Sequence, residues 1–240
     1  TISRNDTVLD IGAGFGAIAD QVLPSCRNLI AIEADPNLYQ LLKQKYRFDG
    51  RISVRFGDIR QLPLPVEPYK VFSNIPFSIT GEIVKKLLFS QNPPLESYIV
   101  VQEEAARKFI ASDRQNSMIA ILLFPWFELE IVHRFNRDDF RPKPNVNSVL
   151  VRIIRRREPL VRMTNQALFQ DYVIYNFTRE RKVKHLSPSE WLTKFDNFLK
   201  INDLRAKNKI GGSYSKWRLE EEKLSKIHRT RLDKHWKDAK

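Results

Sequence analysis

A chain of 240 residues, 42% of them apolar, can hold one large domain or a domain with a smaller appendage, which excludes a disordered or fibrous protein. Its formal net charge of +13, from 41 Lys and Arg against 28 Asp and Glu, exceeds what solubility requires and points to a polyanionic partner, nucleic acid ahead of an acidic membrane surface. The single cysteine, Cys26, excludes an intramolecular disulfide, and four scattered histidines (His133, His185, His228, His235) show no metal-ligand spacing, so a reducing compartment and no metal site are expected.

In chain order, the first half alternates β-rich runs with amphipathic stretches. Thr7 to Ile11, Leu29 to Glu33, Ile52 to Phe56, Lys70 to Asn74 and Ser97 to Val101 read as strands. Between them, Pro36 to Tyr46 reads as a helix capped by Asp35, with proline at its first position and Leu38, Leu41 and Leu42 on one face. Two further helices are read from Gly81 to Phe89 and from Glu103 to Ile110. Such alternation predicts an α/β fold with a parallel sheet covered on both faces. The apolar run Met118 to Phe127 is too short to span a bilayer and contains Pro125; with no signal-peptide pattern at the N-terminus, the cytoplasm is the expected location. Phe127 to Phe135 and Asn147 to Arg155 then suggest an antiparallel pair at the sheet edge, joined through the turn "RPKPN".

Composition changes near Pro159. From there on the sequence carries few strand signals and reads as basic, aromatic-rich helices over Gln170 to Lys182, Ser189 to Lys200 and Lys216 to Lys237. One domain boundary is therefore expected, between residues 158 and 159. Residues 1–90 hold 11 basic against 9 acidic side chains, so nearly all of the excess charge follows them and polyanion binding is expected to centre on the second half.

The stretch "VLDIGAGFGAIA" places Asp10, Gly12, Ala13, Gly14 and Gly16 at a strand-to-helix turn, where glycine lets the backbone approach a ligand. Glu33, followed by Ala34, ends the second strand where a carboxylate can accept both ribose hydroxyl hydrogens. NAD and S-adenosylmethionine both suit that arrangement. After the third strand, Asp58 can accept from an adenine exocyclic amine while Ile59 packs on the ring; alone, Asp58 reads equally as a turn residue. "SNIPF" at the fourth strand's end decides between the cofactors, because Asn74, Ile75, Pro76 and Phe77 resemble the [NDS]-[LIP]-P-[YFW] motif of S-adenosylmethionine-dependent enzymes that methylate an amino group.

An adenine amine is a poor nucleophile because its lone pair is delocalised into the ring. The Asn74 side-chain oxygen and the Ile75 carbonyl can each accept one amine hydrogen and localise that lone pair, Pro76 fixes the carbonyl's direction, and Phe77 offers a face for a base rotated out of its stack.

With these motifs in order, the chain resembles the ribosomal RNA adenine dimethyltransferase superfamily, and within it the erythromycin-resistance (Erm) branch. The likeness extends to "NIPFSITGEIVKKLLF", "VQEEAARKFI" and "DDFRPKPNVNSVLVRI". It implies a Rossmann-like class I methyltransferase sheet over residues 1–158, mostly parallel with an antiparallel edge hairpin, and a helical, basic RNA-binding domain over 159–240. It also implies a cytoplasmic, monomeric enzyme that uses S-adenosylmethionine and acts on large-subunit ribosomal RNA, free or in an assembling particle, so conferring macrolide-lincosamide-streptogramin B resistance. Phe140 becomes the second aromatic contact to the flipped adenine, and Arg107, Lys108, Arg114, Arg141 and Lys143 become RNA contacts around the site. Two departures stand out. Phe77 replaces the commoner Tyr, which leaves open whether one or two methyl groups are added, and the family's upstream Gln-x-Phe segment is not in the sequence, which reads as a truncated form. A small-subunit rRNA dimethyltransferase, or a non-catalytic RNA-binding factor of the same fold, remains the alternative at this point.

Overall fold

The computed structural model describes residues 2–141, 143–201 and 203–232. They divide into two compact units, one formed by Thr1–Ile110 and Trp126–Glu158, the other by Ala111–Pro125 and Pro159–Lys240. The boundary expected between residues 158 and 159 is therefore joined by an excursion earlier in the chain, because 111–125 groups with the helical unit.

The first unit is built on a seven-stranded sheet: β1 (Thr7–Ile11), β2 (Asn28–Glu33), β3 (Ile52–Phe56), β4 (Lys70–Asn74), β5 (Glu96–Gln102), β6 (Phe127–Phe135) and β7 (Ser148–Arg155), in the order β3-β2-β1-β4-β5-β7-β6. The pairs from β3 to β5 are parallel; β7 runs antiparallel between β5 and β6, giving the expected edge hairpin. Burial follows position in the sheet. The inner strands β1 and β2 are buried almost continuously, as strands covered on both faces must be, whereas the edge strands β3 and β6 are mostly half-buried or exposed, with β6 alternating over its first half. A register shift between Ile131 and His133 bulges the outer strand at exposed Val132.

Helices α1 (Ala17–Val22), α2 (Pro36–Lys45), α3 (Thr80–Leu88) and α4 (Glu103–Phe109) follow their strands. The Asp35 carboxylate caps α2 as expected, accepting from the N–H groups of Asn37 (2.8 Å) and Leu38 (3.0 Å). The expected apolar face of α2 is narrower than its sequence suggests: Leu42 is buried, but Leu41 is 40% exposed because the sheet meets only one stripe of so short a helix. In α3 the stripe is complete, with Ile83, Val84, Leu87 and Leu88 all buried.

The second unit contains α5 (Met118–Leu123), α6 (Gln166–Arg179), α7 (Pro188–Ile201), α8 (Leu204–Ile210) and α9 (Ser213–Leu232). The last expected helix runs past residue 232, where its remaining positions lie outside the described residues. The core here is aromatic: Phe169, Trp191 and Phe195 are fully buried, Phe177 stacks on Trp191 at 5.2 Å, and Tyr172 meets Trp191, Phe195 and Phe198. Buried Asn116 ties 111–125 into this unit, donating to the carbonyls of Ser112 (2.6 Å) and Leu186 (3.0 Å), while its own backbone N–H reaches Lys184 O (2.9 Å). Asp171 on α6 accepts from the N–H groups of Gly212 (3.0 Å) and Tyr214 (2.8 Å), capping α9 from another helix. Among the described residues, no helix is long and apolar enough to cross a membrane.

Candidate active site

Four strand ends meet on the carboxyl edge of the sheet in the first unit. The strand order reverses between β1 and β4, the position where open α/β sheets take their ligands. There the two strands part. Pairing between them is registered only at Val8↔Lys70 and Leu9↔Val71, and further along the Ser73 hydroxyl takes over, donating to Ile11 O (2.7 Å) and accepting from Ile11 N–H (2.9 Å).

The glycine turn fills this opening. Gly12, Gly14 and Gly16 have φ of 72°, 58° and 82°, values that side chains rarely adopt. A Cβ on Gly12 would lie 3.2 Å from the Pro76 ring, so the turn at the end of β1 sits directly against the tetrad at the end of β4. A Cβ on Gly14 would meet only the Gly12 carbonyl oxygen, at 3.9 Å, which leaves open space over that residue. The turn is anchored from β2: Gly12 and Ala13 donate to Ile32 O, at 2.8 and 3.1 Å.

The three carboxylates expected at strand ends are all here, in different electrostatic states. Asp10 is 1% exposed and, among the described residues, neither carboxylate oxygen has a hydrogen-bond partner. Burial pushes its carboxyl up to about 7; the Ser73 hydroxyl opposes that rise, and the negative charge of Glu33 adds to it. Glu33 is also buried but well partnered: one oxygen accepts from Gly14 N–H (2.8 Å), the other from Ala34 N–H (2.8 Å) and Asp35 N–H (2.9 Å). Asp58 is gripped by Arg60, whose backbone N–H (2.8 Å) and Nε (3.0 Å) reach Oδ1 and whose Nη2 (2.5 Å) reaches Oδ2. Ile59, between them, is buried.

At the end of β4, Asn74 and Pro76 are exposed, Ile75 is buried and Phe77 is half-buried at the start of a short 3₁₀ turn leading into α3. Among the described residues, the Asn74 carboxamide has no hydrogen-bond partner. Half-buried Phe140 follows β6 and meets Phe135 edge-on at 5.2 Å. The expected RNA contacts are exposed: Arg107 pairs with Glu103 (2.7 Å), Lys108 with Glu104 (3.4 Å) and Lys143 with Asp138 (2.5 Å). Arg141 is also exposed. Arg114 is exposed too, but it belongs to the second unit.

Several supporting residues are not evident from motifs. Lys45 Nζ reaches Phe15 O (3.1 Å) and Asp20 (2.6 Å), while the Tyr46 hydroxyl lies 2.7 Å from Asp20 and 3.2 Å from Gly16 O, so the end of α2 braces the glycine turn. Ser73 is another. Arg60 could have been found, since an arginine two residues after an aspartate can close a local fork.

A sheet of this order, with a glycine turn under the switch point and carboxylates ending consecutive strands, defines an S-adenosylmethionine-dependent methyltransferase. The residues fit that cofactor: the open space over Gly14 and the unpartnered Asp10 carboxylate both await a ligand. Comparison with known proteins narrows the class. The family profile described as ribosomal RNA adenine dimethylase matches residues 1–213, and the chain belongs to that family, whose members methylate adenine with S-adenosylmethionine. An rRNA adenine N-6-methyltransferase of Limosilactobacillus reuteri is 27% identical over 85% of this chain and 81% of its own length. Another, from Bacillus licheniformis, is 34% identical over 65% of this chain, which spans only 55% of that relative. Among solved structures, the 23S rRNA methyltransferase ErmE is similar with a TM-score of 0.68 and 29% identity, over 75% of this chain and 73% of its own.

Proposed function

We propose that this protein transfers a methyl group to the exocyclic amine of an adenine in large-subunit ribosomal RNA, a modification that confers macrolide-lincosamide-streptogramin B resistance. The observation that carries the reading is the unpartnered carboxamide of Asn74, exposed at the end of β4 beside a glycine turn that Pro76 abuts. S-adenosylmethionine, when bound, supplies an electrophilic methyl on a sulfonium leaving group. Glu33, whose Oε1 takes Ala34 and Asp35 N–H and whose Oε2 anchors Gly14, keeps capacity on Oε2 for one ribose hydroxyl. Asp58 accepts from the adenine amine of the cofactor, and Ile59 flanks its ring. Asp10, Gly12, Ala13, Gly14, Gly16 and Ala34 complete the cofactor surface.

Asn74 Oδ1 and the Ile75 carbonyl accept the two hydrogens of the target amine, Pro76 holds the carbonyl's direction, and Phe77 and Phe140 offer ring faces to the flipped base. Held this way by Asn74 and Ile75, the amine lone pair would be directed at the methyl that the bound cofactor would supply, its carbon–sulfur electron pair passing to the sulfonium sulfur, and the extra proton would go to solvent. Nothing in this sequence of events needs a strong base. Arg107, Lys108, Arg114, Arg141 and Lys143 contact RNA phosphates, a sequence-independent and salt-sensitive contribution.

The large-subunit assignment draws support from "PKPNVNS" after Phe140 and from the likeness to ErmE. Mass-resolved methylation profiling of both ribosomal RNAs from cells expressing the protein tests it. Methylated adenine is expected in the large-subunit RNA; modification confined to the small subunit would reassign the substrate, and no modification would leave a binding factor.

A further inference from the structure

The glycine turn is held from two sides. On one, Gly12 and Ala13 donate to Ile32 O and Gly14 donates to Glu33. On the other stands the C-terminal end of α2, 30 residues further along the chain. Lys45 Nζ donates to Phe15 O at 3.1 Å and to Asp20 Oδ2 at 2.6 Å, while the Tyr46 hydroxyl lies 2.7 Å from Asp20 Oδ1 and 3.2 Å from Gly16 O. Asp20, in the first turn of α1, therefore takes one donor on each oxygen and orients both side chains. An ammonium has three hydrogens and a phenol one, so Lys45 can serve Asp20 and Phe15 together, whereas Tyr46 must divide its hydrogen between Asp20 and Gly16. Lys45 is thus the donor that grips the turn itself. It pins the Phe15–Gly16 peptide by its C=O, and Ala13 O holds the N–H of the same peptide at 2.8 Å. The fit is close: a Cβ on Gly16 would lie 2.5 Å from the Tyr46 oxygen, 3.1 Å from Leu42 Cδ2 and 3.3 Å from Lys45 Nζ.

We propose that Lys45 is a positioning residue for the cofactor: oriented by Asp20, it holds the Phe15–Gly16 peptide so that the turn meets S-adenosylmethionine already ordered. This rests on the reading that the glycine turn seats the cofactor. Three of the five residues from Gly12 to Gly16 are glycine, which has more backbone freedom to lose than any other residue. A turn left loose on the α2 side would have to be ordered at binding, and affinity would fall by that cost; a turn ordered in folding avoids it. Lys45 acts through the Phe15 carbonyl and needs no contact with the cofactor. The ion pair itself contributes little to global stability, since the Lys45 and Asp20 side chains are 35% and 44% exposed. Its consequence lies in the turn.

Calorimetry with S-adenosylhomocysteine, together with amide hydrogen exchange over residues 12–17, tests this. Lys45→Met keeps an unbranched apolar stem and loses the donors; its affinity is expected to fall roughly 3- to 10-fold, the size of one hydrogen bond. The turn amides of the free variant should exchange faster than the parent's by about the same factor, because local opening is what the grip opposes. Lys45→Arg, which restores a charged donor, should recover part of both losses. If Lys45→Met binds as the parent does and its turn amides exchange at the parent's rate, whatever its melting temperature, Lys45 is only a surface ion pair and the proposal is wrong. Equal losses in Lys45→Met and Lys45→Arg would also overturn it, because donation to Phe15 would then not be the cause. If S-adenosylhomocysteine binds the parent without slowing the turn amides, the cofactor does not sit on the turn, and the proposal falls with that reading.

Discussion

The two halves of the sheet's carboxyl edge treat their polar groups in opposite ways. On the β2–β3 side every strand-end carboxylate is engaged: Glu33 takes three backbone N–H groups and Asp58 is forked by Arg60. On the β1–β4 side Asp10 is buried with both oxygens unpartnered, and Asn74 holds an exposed carboxamide that no described residue engages. A satisfied carboxylate is rigid and already oriented, which suits recognition of a cofactor's ribose and adenine. An unsatisfied buried one destabilises the free protein and is tolerated where a ligand completes it. The difference therefore divides the edge into a preorganised β2–β3 side for the cofactor's ribose and adenine and an incomplete β1–β4 side, where Asp10 completes the cofactor surface and Asn74 faces the target amine.

Removing a satisfied group should damage the scaffold as well as the contact. Glu33→Ala deletes the anchor of Gly14 along with the ribose acceptor, so calorimetry should show S-adenosylmethionine affinity falling by roughly 10- to 100-fold, the size of one charge-assisted hydrogen bond. Unchanged affinity would show that the cofactor side is not built as described. On the reactive side, Phe77→Ala should cost about 1–3 kcal/mol of productive RNA engagement through lost base stacking, and cofactor affinity should stay within a factor of two or so. Parallel losses in both titrations would erase the division.

Asp10 allows the comparison to be read from stability. Its carboxyl is raised to about 7 by burial, so the folded protein holds this proton over a pH range where the unfolded chain, titrating near the ordinary aspartate value, has released it. The folded state therefore loses stability from this group as pH rises from about 4 to about 7, by an amount on the order of a few kcal/mol. Asp10→Asn removes that penalty. In thermal melts of the free protein its advantage over the parent should be largest near pH 8 and should shrink toward pH 4, with cofactor affinity moving the other way. An advantage independent of pH would mean that Asp10 is not the strained group. The smallest effect is expected at the rim: replacing Arg141 and Lys143 together should flatten the log–log salt dependence of hairpin RNA binding by up to about 1.4, at ~0.7 per phosphate contact on a single strand. An unaltered slope would move the RNA path elsewhere.

Much of this architecture is written in local sequence. The strands and the capped helix after Asp35 could be read because apolar runs and Pro36 after an aspartate have direct backbone consequences. The grouping of 111–125 with the helical unit could not, since it depends on Asn116 reaching Lys184 and Leu186 some 70 residues away. Leu41 shows the same limit at small scale: spacing puts it near the apolar stripe, but only packing decides how wide that stripe is. In the site, glycines and carboxylates announce themselves by position, whereas their state does not. Nothing in "VLDIG", "AIEAD" or "FGDIR" distinguishes a bare carboxylate from a saturated one, because Glu33's donors come from the chain's path and Asp10's burial comes from the packing around it.

The claim that the incomplete side performs the chemistry is tested most directly by single-turnover methyl transfer to an RNA hairpin carrying the target adenine, with parent and Asn74→Ala compared at saturating cofactor and RNA. The account predicts near-parent binding of both ligands and a transfer rate reduced by roughly 100-fold or more, as for loss of a polar contact that acts mainly in the transition state. Transfer by Asn74→Ala at the parent rate would contradict it.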